Sequence, residues 1–236
     1  MSGEIVILAG TAITIGLVHT LLGPDHYLPF IVLSKARQWS RAKTLLITLL
    51  CGIGHILGSV VLGFIGIALG IAIFKLEAVE SFRSELAAWI LIALGFTYFV
   101  WGLRRALRHH THEHLHEHKS GEPHLHRHQH LGGHSHPHGS ESGSLTPWVL
   151  FIIFVLGPCE PLIPLLMYPA AKYNVPGVAM VASIFCLTTI ATMLAIVLAS
   201  SYGLERLSLR RLERYSHAIS GLAIFLSGGA VKFLGL

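Results

Sequence analysis

The chain has 236 residues, 53 % of them hydrophobic and 12 % charged, about half the charged fraction of a soluble domain. With a mean hydropathy of +0.64 and apolar blocks of roughly 18 residues or more, the length that crosses a bilayer as a helix, it is read as an integral membrane protein with the lipid bilayer as its solvent. The formal charge of +5 does not point to nucleic acid, because the bases sit in short clusters beside apolar blocks, where membrane topology accounts for them.

Six spans are predicted, all helical, at residues 5–22, 44–74, 86–103, 148–167, 178–200 and 217–236. The first has no basic residue before it and no small-residue cleavage site after it, so it reads as retained rather than as a signal peptide. The second is longer than a bilayer requires and is expected to tilt. Trp39, Trp89, Trp101 and Trp148 lie near block ends, where an amphipathic ring favours the headgroup region. Segments 76–86 and 203–215 show apolar residues at helical spacing among charges and read as interfacial helices or as solvated loops. Connections one, three and five hold 13 of the 17 lysines and arginines, which predicts a cell-membrane protein with both termini outside and the third connection in the cytoplasm.

Leu22-Gly-Pro-Asp-His-Tyr-Leu28 matches Leu156-Gly-Pro-Cys-Glu-Pro-Leu162 at an offset of 134, and Gly102 has a counterpart in Gly228. The expected fold is therefore all-α, with residues 1–108 and 147–236 as two inverted three-helix repeats. Three is odd, so the second half enters the bilayer upside down. Gly23-Pro24 interrupts an apolar stretch of about 30 residues, too long for one straight span. Proline removes a donor, disfavours helix at the residue before it and suits the first turn of a new helix. Gly157-Pro158 repeats the signal, reinforced by Pro161, Pro164 and Pro169. Spans one and four are thus expected to be broken, and bare backbone at membrane depth persists only inside protein or beside a polar cavity.

Ionisable residues stand at these breaks. Asp25 is the only aspartate in the chain, His26 follows it, Cys159-Glu160 is the matching pair, and His19 lies just before the first break. An intramembrane acid is a functional candidate by default, and carboxylates, imidazoles and a thiol are ligands for divalent transition metals. His55, in Gly52-Ile-Gly-His-Ile-Leu-Gly58, adds an imidazole on a small-residue face. The candidate metal ligands are accordingly His19, Asp25, His26, His55, Cys159 and Glu160. Plainer roles stand beside these: a helix cap and its hydrogen-bond partner for Asp25 and His26, a small hydrophobe for Cys159, a gating or proton-coupling acid for Glu160, a core hydrogen-bonder for His55. Thr188, Thr189 and Thr192 read as bonding their own helix, and Cys51 and Cys186 as packing. Three cysteines inside apolar blocks do not form a secreted disulfide framework.

Residues 109–138 contain 13 histidines in 30 positions, mostly alternating with other residues. The connection 109–146 is read as a histidine-rich disordered loop whose neutral imidazoles bind zinc, nickel, cobalt or copper.

Taken together, His19, Gly23-Pro24-Asp25-His26, Gly54-His55-x-x-Gly58, Gly157-Pro158-Cys159-Glu160 and the histidine loop resemble the nickel/cobalt transporter family, in particular its urease-accessory transmembrane branch. That resemblance implies nickel or cobalt translocation, with the first-half histidines and the aspartate essential. The expected function is a secondary transporter, not an enzyme, working by alternating access. Ni2+ or Co2+ is its substrate, no cofactor is permanent, and a cytoplasmic metallochaperone is an expected partner. No P-loop is visible, so coupling is expected to the electrical gradient or to protons. Three alternatives differ in class. A thiol-redox membrane carrier, like the six-span family that passes electrons to cytochrome maturation, also breaks spans one and four at proline-cysteine motifs, but needs two facing cysteines where Asp25 stands opposite Cys159. A sulfite or sulfonate anion exporter shares the architecture but should not carry two acids. A metal sensor would show no flux.

Overall fold

The computed structural model describes residues 3–107, 112–116, 124–128, 145–157, 159–172, 175–206 and 213–235. In chain order the helices are α1 (Gly3–Leu22), α2 (Leu28–Ala36), α3 (Arg41–Ala68), α4 (Ile73–Leu107), α5 (Leu145–Leu156), α6 (Leu162–Lys172), α7 (Val175–Arg206) and α8 (Ser216–Leu234). Short 3-10 turns at Pro24–His26 and Glu213–Tyr215 lead into α2 and α8. Of the connection predicted to be disordered, two stretches are described. Strand β1 (His112–His116) pairs antiparallel with β2 (His124–His128), His112 opposite His128 and His116 opposite His124. The rest of that connection lies outside the described residues.

Four helices, α3, α4, α7 and α8, are long and apolar enough to cross a membrane, and residues Val6–Leu22 of α1 with the segment Pro24–Ala36 form an apolar pair bent by 83°, a broken span or a re-entrant loop. The candidate spans are all helical, a multi-pass membrane architecture, and the bend falls at the expected Gly23-Pro24. One boundary differs from expectation. Residues 76–86, read as a separate interfacial helix or loop, are the continuous beginning of α4. No glycine or proline interrupts that helix before Gly95, and Leu76 and Glu80 are buried, so packing carries it through its charges.

The bundle buries two apolar clusters, one with Phe30, Leu150 and Met193 and one with Leu162, Leu166 and Phe185, and α3 adds a mostly small and polar face between them, with Ile47 and Ile56 also buried. On α3, Leu46, Leu50, Ile53, Leu57, Val61 and Ile65 are exposed, while Thr44, Thr48, Cys51, Gly52, Gly54, His55, Ser59, Gly63 and Gly66 turn inward. Lipid tails are as apolar as leucine, so close backbone approach, tight packing and internal hydrogen bonds hold the helices together. Ser40 starts α3 as an N-cap, its hydroxyl accepting from Lys43 N at 3.3 Å.

The tightest seam lies between α4 and α8. Gly95 stands against the backbone of Ile224 and Phe225, Gly102 against His217 and Ala218, Gly221 against Tyr98 and Phe99, and Gly228 against Ile92. Its ends are tied by a Tyr98 Oη–His217 Nδ1 hydrogen bond of 2.7 Å and a Lys232 Nζ–Glu85 Oε1 ion pair of 2.7 Å. A methyl group at Gly221 would meet main chain, which cannot step aside, whereas Gly229 on the same helix has open space. Gly221→Ala is therefore expected to cost about 1–3 kcal/mol of stability, while Gly229→Ala gains up to about 1 kcal/mol from helix propensity. Thermal unfolding of the two variants in detergent checks the contrast.

Candidate functional site

The first break is built locally. Gly23 N donates to His19 O at 3.0 Å and closes α1, then His26 N donates to Gly23 O at 3.1 Å and Tyr27 N to Pro24 O at 3.4 Å. This single turn carries Asp25 and His26 across the bend and aims the His26 ring inward, where it is buried. His26 Nδ1 lies 3.1 Å from both Gly23 O and Asp25 Oδ1, and its Nε2 lies 3.3 Å from Nε2 of His55 on α3. A methyl group at Gly23 would strike the His26 ring, so the glycine makes the fold-back possible.

His19, the last basic residue of α1, completes a three-ring cluster. Its ring meets His26 edge-on, with centroids 4.7 Å apart, and lies nearly parallel to His55 at 6.5 Å. His26 meets His55 at 4.9 Å, also edge-on. Two facing imidazole nitrogens at 3.3 Å need a proton or a metal ion between them, since two lone pairs repel. One ligand atom from each of His19, His26 and His55 lies within 4.8 Å of the others, so the trio can hold a metal ion.

The second break reaches the same place. Gly157 N donates to Ile153 O at 2.8 Å, Leu162 N to Cys159 O at 2.9 Å, and the buried Cys159 thiol lies 3.9 Å from His19 Nε2. A methyl group at Gly157 would press on His55 Nδ1, so the second glycine lets α3 approach. The two bends thus meet through His19, His55 and Cys159.

Of the six predicted site residues, the structure brings His19, His26, His55 and Cys159 together. Asp25 is one hydrogen bond removed, on the far side of His26, and lines with His55 a cavity of about 30 Å³, room for a water molecule. Glu160 is exposed and faces a different cavity, with Glu77, Glu80, Ser81 and Pro161. Cys186, read as packing, lies against the apolar cluster that contains Cys159, while Cys51 belongs to a separate one. Thr188 and Thr192 bond their own helix as expected, to Ile184 O and Thr188 O, whereas the buried Thr189 hydroxyl has no partner among the described residues. Ser59, Glu80 and Arg83, which surround the second break, were not singled out from sequence. The signal available in sequence was an acid and a base three positions apart, the spacing at which they pair on one helix face.

A family model described as cytochrome C biogenesis protein transmembrane region matches residues 11–230. No curated protein and no solved structure matches the chain. The family match overturns the nickel/cobalt transporter resemblance and, with it, the expectations of metal ion transport, of Ni2+ or Co2+ as cargo, and of a divalent cation and a metallochaperone as partners. The physical reason for the misreading is that imidazoles and acids at paired helix breaks resemble a cation site whatever their task, whereas Pro158-Cys159, the element shared with thiol carriers, was discounted for want of a second cysteine at the first break. The chain belongs to the cytochrome c biogenesis transmembrane-region family.

Proposed function

We propose that the protein is a thiol-redox carrier of the membrane, not an enzyme, that passes reducing equivalents to partner proteins of the cytochrome c biogenesis class. The observation that carries this is the Cys159 thiol, buried at the second break and 3.9 Å from the His19 imidazole. A thiolate is the species that attacks a disulfide, and a neighbouring imidazole is suited to take its proton. Cys186 is the second thiol. Cys159 attacks the partner's disulfide and forms a mixed disulfide. Cys186 then attacks Cys159, closing an internal disulfide and releasing the partner as a dithiol. Two electrons pass to the partner, whose two thiolates take up protons from water, and an external dithiol resets the carrier. His19, His26 and His55 move the proton toward Asp25 and its water-sized cavity.

The same reading includes six spans in two inverted repeats within the cell membrane. It is supported by reciprocal packing, α1 on α7 and α3 on α5, and by glycines seven apart on both seam helices, Gly95 and Gly102 against Gly221 and Gly228. The lysine and arginine distribution supports termini outside and the histidine-rich connection in the cytoplasm.

Oxidising the protein in lipid nanodiscs and mapping its thiols by mass spectrometry tests the reading. A disulfide between Cys159 and Cys186 is expected, absent in Cys159→Ser and Cys186→Ser and retained in Cys51→Ser. His19→Ala is expected to slow exchange with a small disulfide about 100-fold. Exchange by Cys159→Ser at the wild-type rate overturns the reading.

The clustering of three ring nitrogens within 4.8 Å supports a second reading, a resident metal ion held by the predicted ligands His19, His26 and His55, with Asp25, Cys159 and Glu160 not part of that cluster. Elemental analysis separates the two readings. A stoichiometric metal that is lost in His26→Ala favours the resident ion, and metal-free protein with full thiol exchange excludes it.

A further inference from the structure

The two breaks satisfy their backbone in different ways. The first is self-sufficient, since its turn is closed by its own residues. At the second, three main-chain groups depend on residues far away in sequence. Arg83 Nη2 on α4 donates to Val155 O at 2.8 Å and to Gly157 O at 3.4 Å, and Cys159 N donates to Ser59 Oγ on α3 at 3.0 Å. These supports are themselves joined: the Ser59 hydroxyl donates to Glu80 Oε2 at 3.1 Å, and Arg83 Nη1 donates to Glu80 Oε1 at 2.6 Å. Glu80 is 1 % exposed and Ser59 fully buried.

A buried ion pair is a poor way to gain stability, because desolvation of the two charges offsets most of their attraction and an apolar pair packs as well. What an apolar pair lacks is donors for the carbonyls that the break leaves open, in a medium where unmet backbone is costly. Arginine's fork supplies several from one side chain. Gly58 fits the same design, for a methyl group there would stand against the Arg83 head and Val155 O. Glu80 of the network also lines an open cavity of about 380 Å³ with Glu77, Ser81, Glu160 and Pro161, while Cys159 is fully buried.

We propose that Ser59, Glu80 and Arg83 are positioning residues that hold the second break in shape, so that the Cys159 thiol stays closed off against His19 until a partner reaches it. This rests on the reading of Cys159 as the working thiol. The three residues act on that thiol through the main chain of residues 155–159 and touch no partner themselves.

Thiol labelling by a small methanethiosulfonate reagent, followed at all three cysteines of the full chain in nanodiscs, tests this without requiring turnover. In Glu80→Gln and Arg83→Met, labelling of Cys159 is expected to accelerate about tenfold or more, the loss of about 1.4 kcal/mol of protection. Cys51 and Cys186 serve as internal references and should keep their wild-type rates. Arg83→Lys, which still pairs with Glu80, should recover at least part of the protection lost in Arg83→Met. Ser59→Ala removes only a hydroxyl, folds without a stranded charge, and should act in the same direction. Unchanged Cys159 labelling across these variants overturns the proposal, as does parallel acceleration of all three cysteines, which is general loosening, or a lysine variant no better protected than methionine. Failure of the thiol reading itself shows elsewhere, as wild-type disulfide exchange by Cys159→Ser.

Discussion

The constraint on which the molecule depends is the intolerance of the bilayer interior for unpaired backbone. A helix interrupted at membrane depth exposes N–H and C=O groups that water cannot reach, and each must find a partner inside the protein. The first interruption falls at Gly23-Pro24 and the second after Gly157, and both are resolved by bringing polar side chains to the bend. The polar centre follows from that necessity: once the chain is broken at Gly23-Pro24 and again after Gly157, the bundle must gather imidazoles, a hydroxyl, a guanidinium and a carboxylate around the gaps.

What those groups then do follows from their order in space. The thiol of Cys159 lies against His19, His19 against His26, His26 against His55 on one side and Asp25 on the other. Such a row can hand a proton from a thiol toward a water-sized cavity within a medium that would otherwise resist separated charge. The first bend supplies the acid and two of the rings, the second supplies the sulfur, and α3 supplies the third ring, against His26.

The broad plan was legible in sequence because it rests on local chemistry. Blocks of apolar residues announce spans, and Gly23-Pro24 announces a bend, which the structure places at 83°. His19, His26, His55 and Cys159 were legible as a group because ionisable side chains inside apolar runs are costly unless they meet. The supports of the second bend were not. Ser59 lies 100 residues from Cys159, and Arg83 lies 72 from Val155, and no local pattern ties such distant positions together. Arg83 and Glu80 were hidden for a further reason: charges spaced along residues 76–86 read as an interfacial segment, while the structure runs them into α4 as one helix. The chemical reading failed at a different level. Donor types alone do not say whether nitrogen and sulfur at a bend serve metal transport or thiol exchange, and the family match over residues 11–230 is what weighs against transport.

The backbone-to-backbone seam of α4 and α8 has a consequence for how such a molecule moves. Where main chain touches main chain through Gly95, Gly102, Gly221 and Gly228, neither helix can slide or roll past the other without collision. That pair is the keel of the protein. The second break is fastened to that pair, since Arg83 on α4 donates to Val155 O and Gly157 O, so the bend that carries the buried sulfur is referenced to the stiffest seam in the bundle.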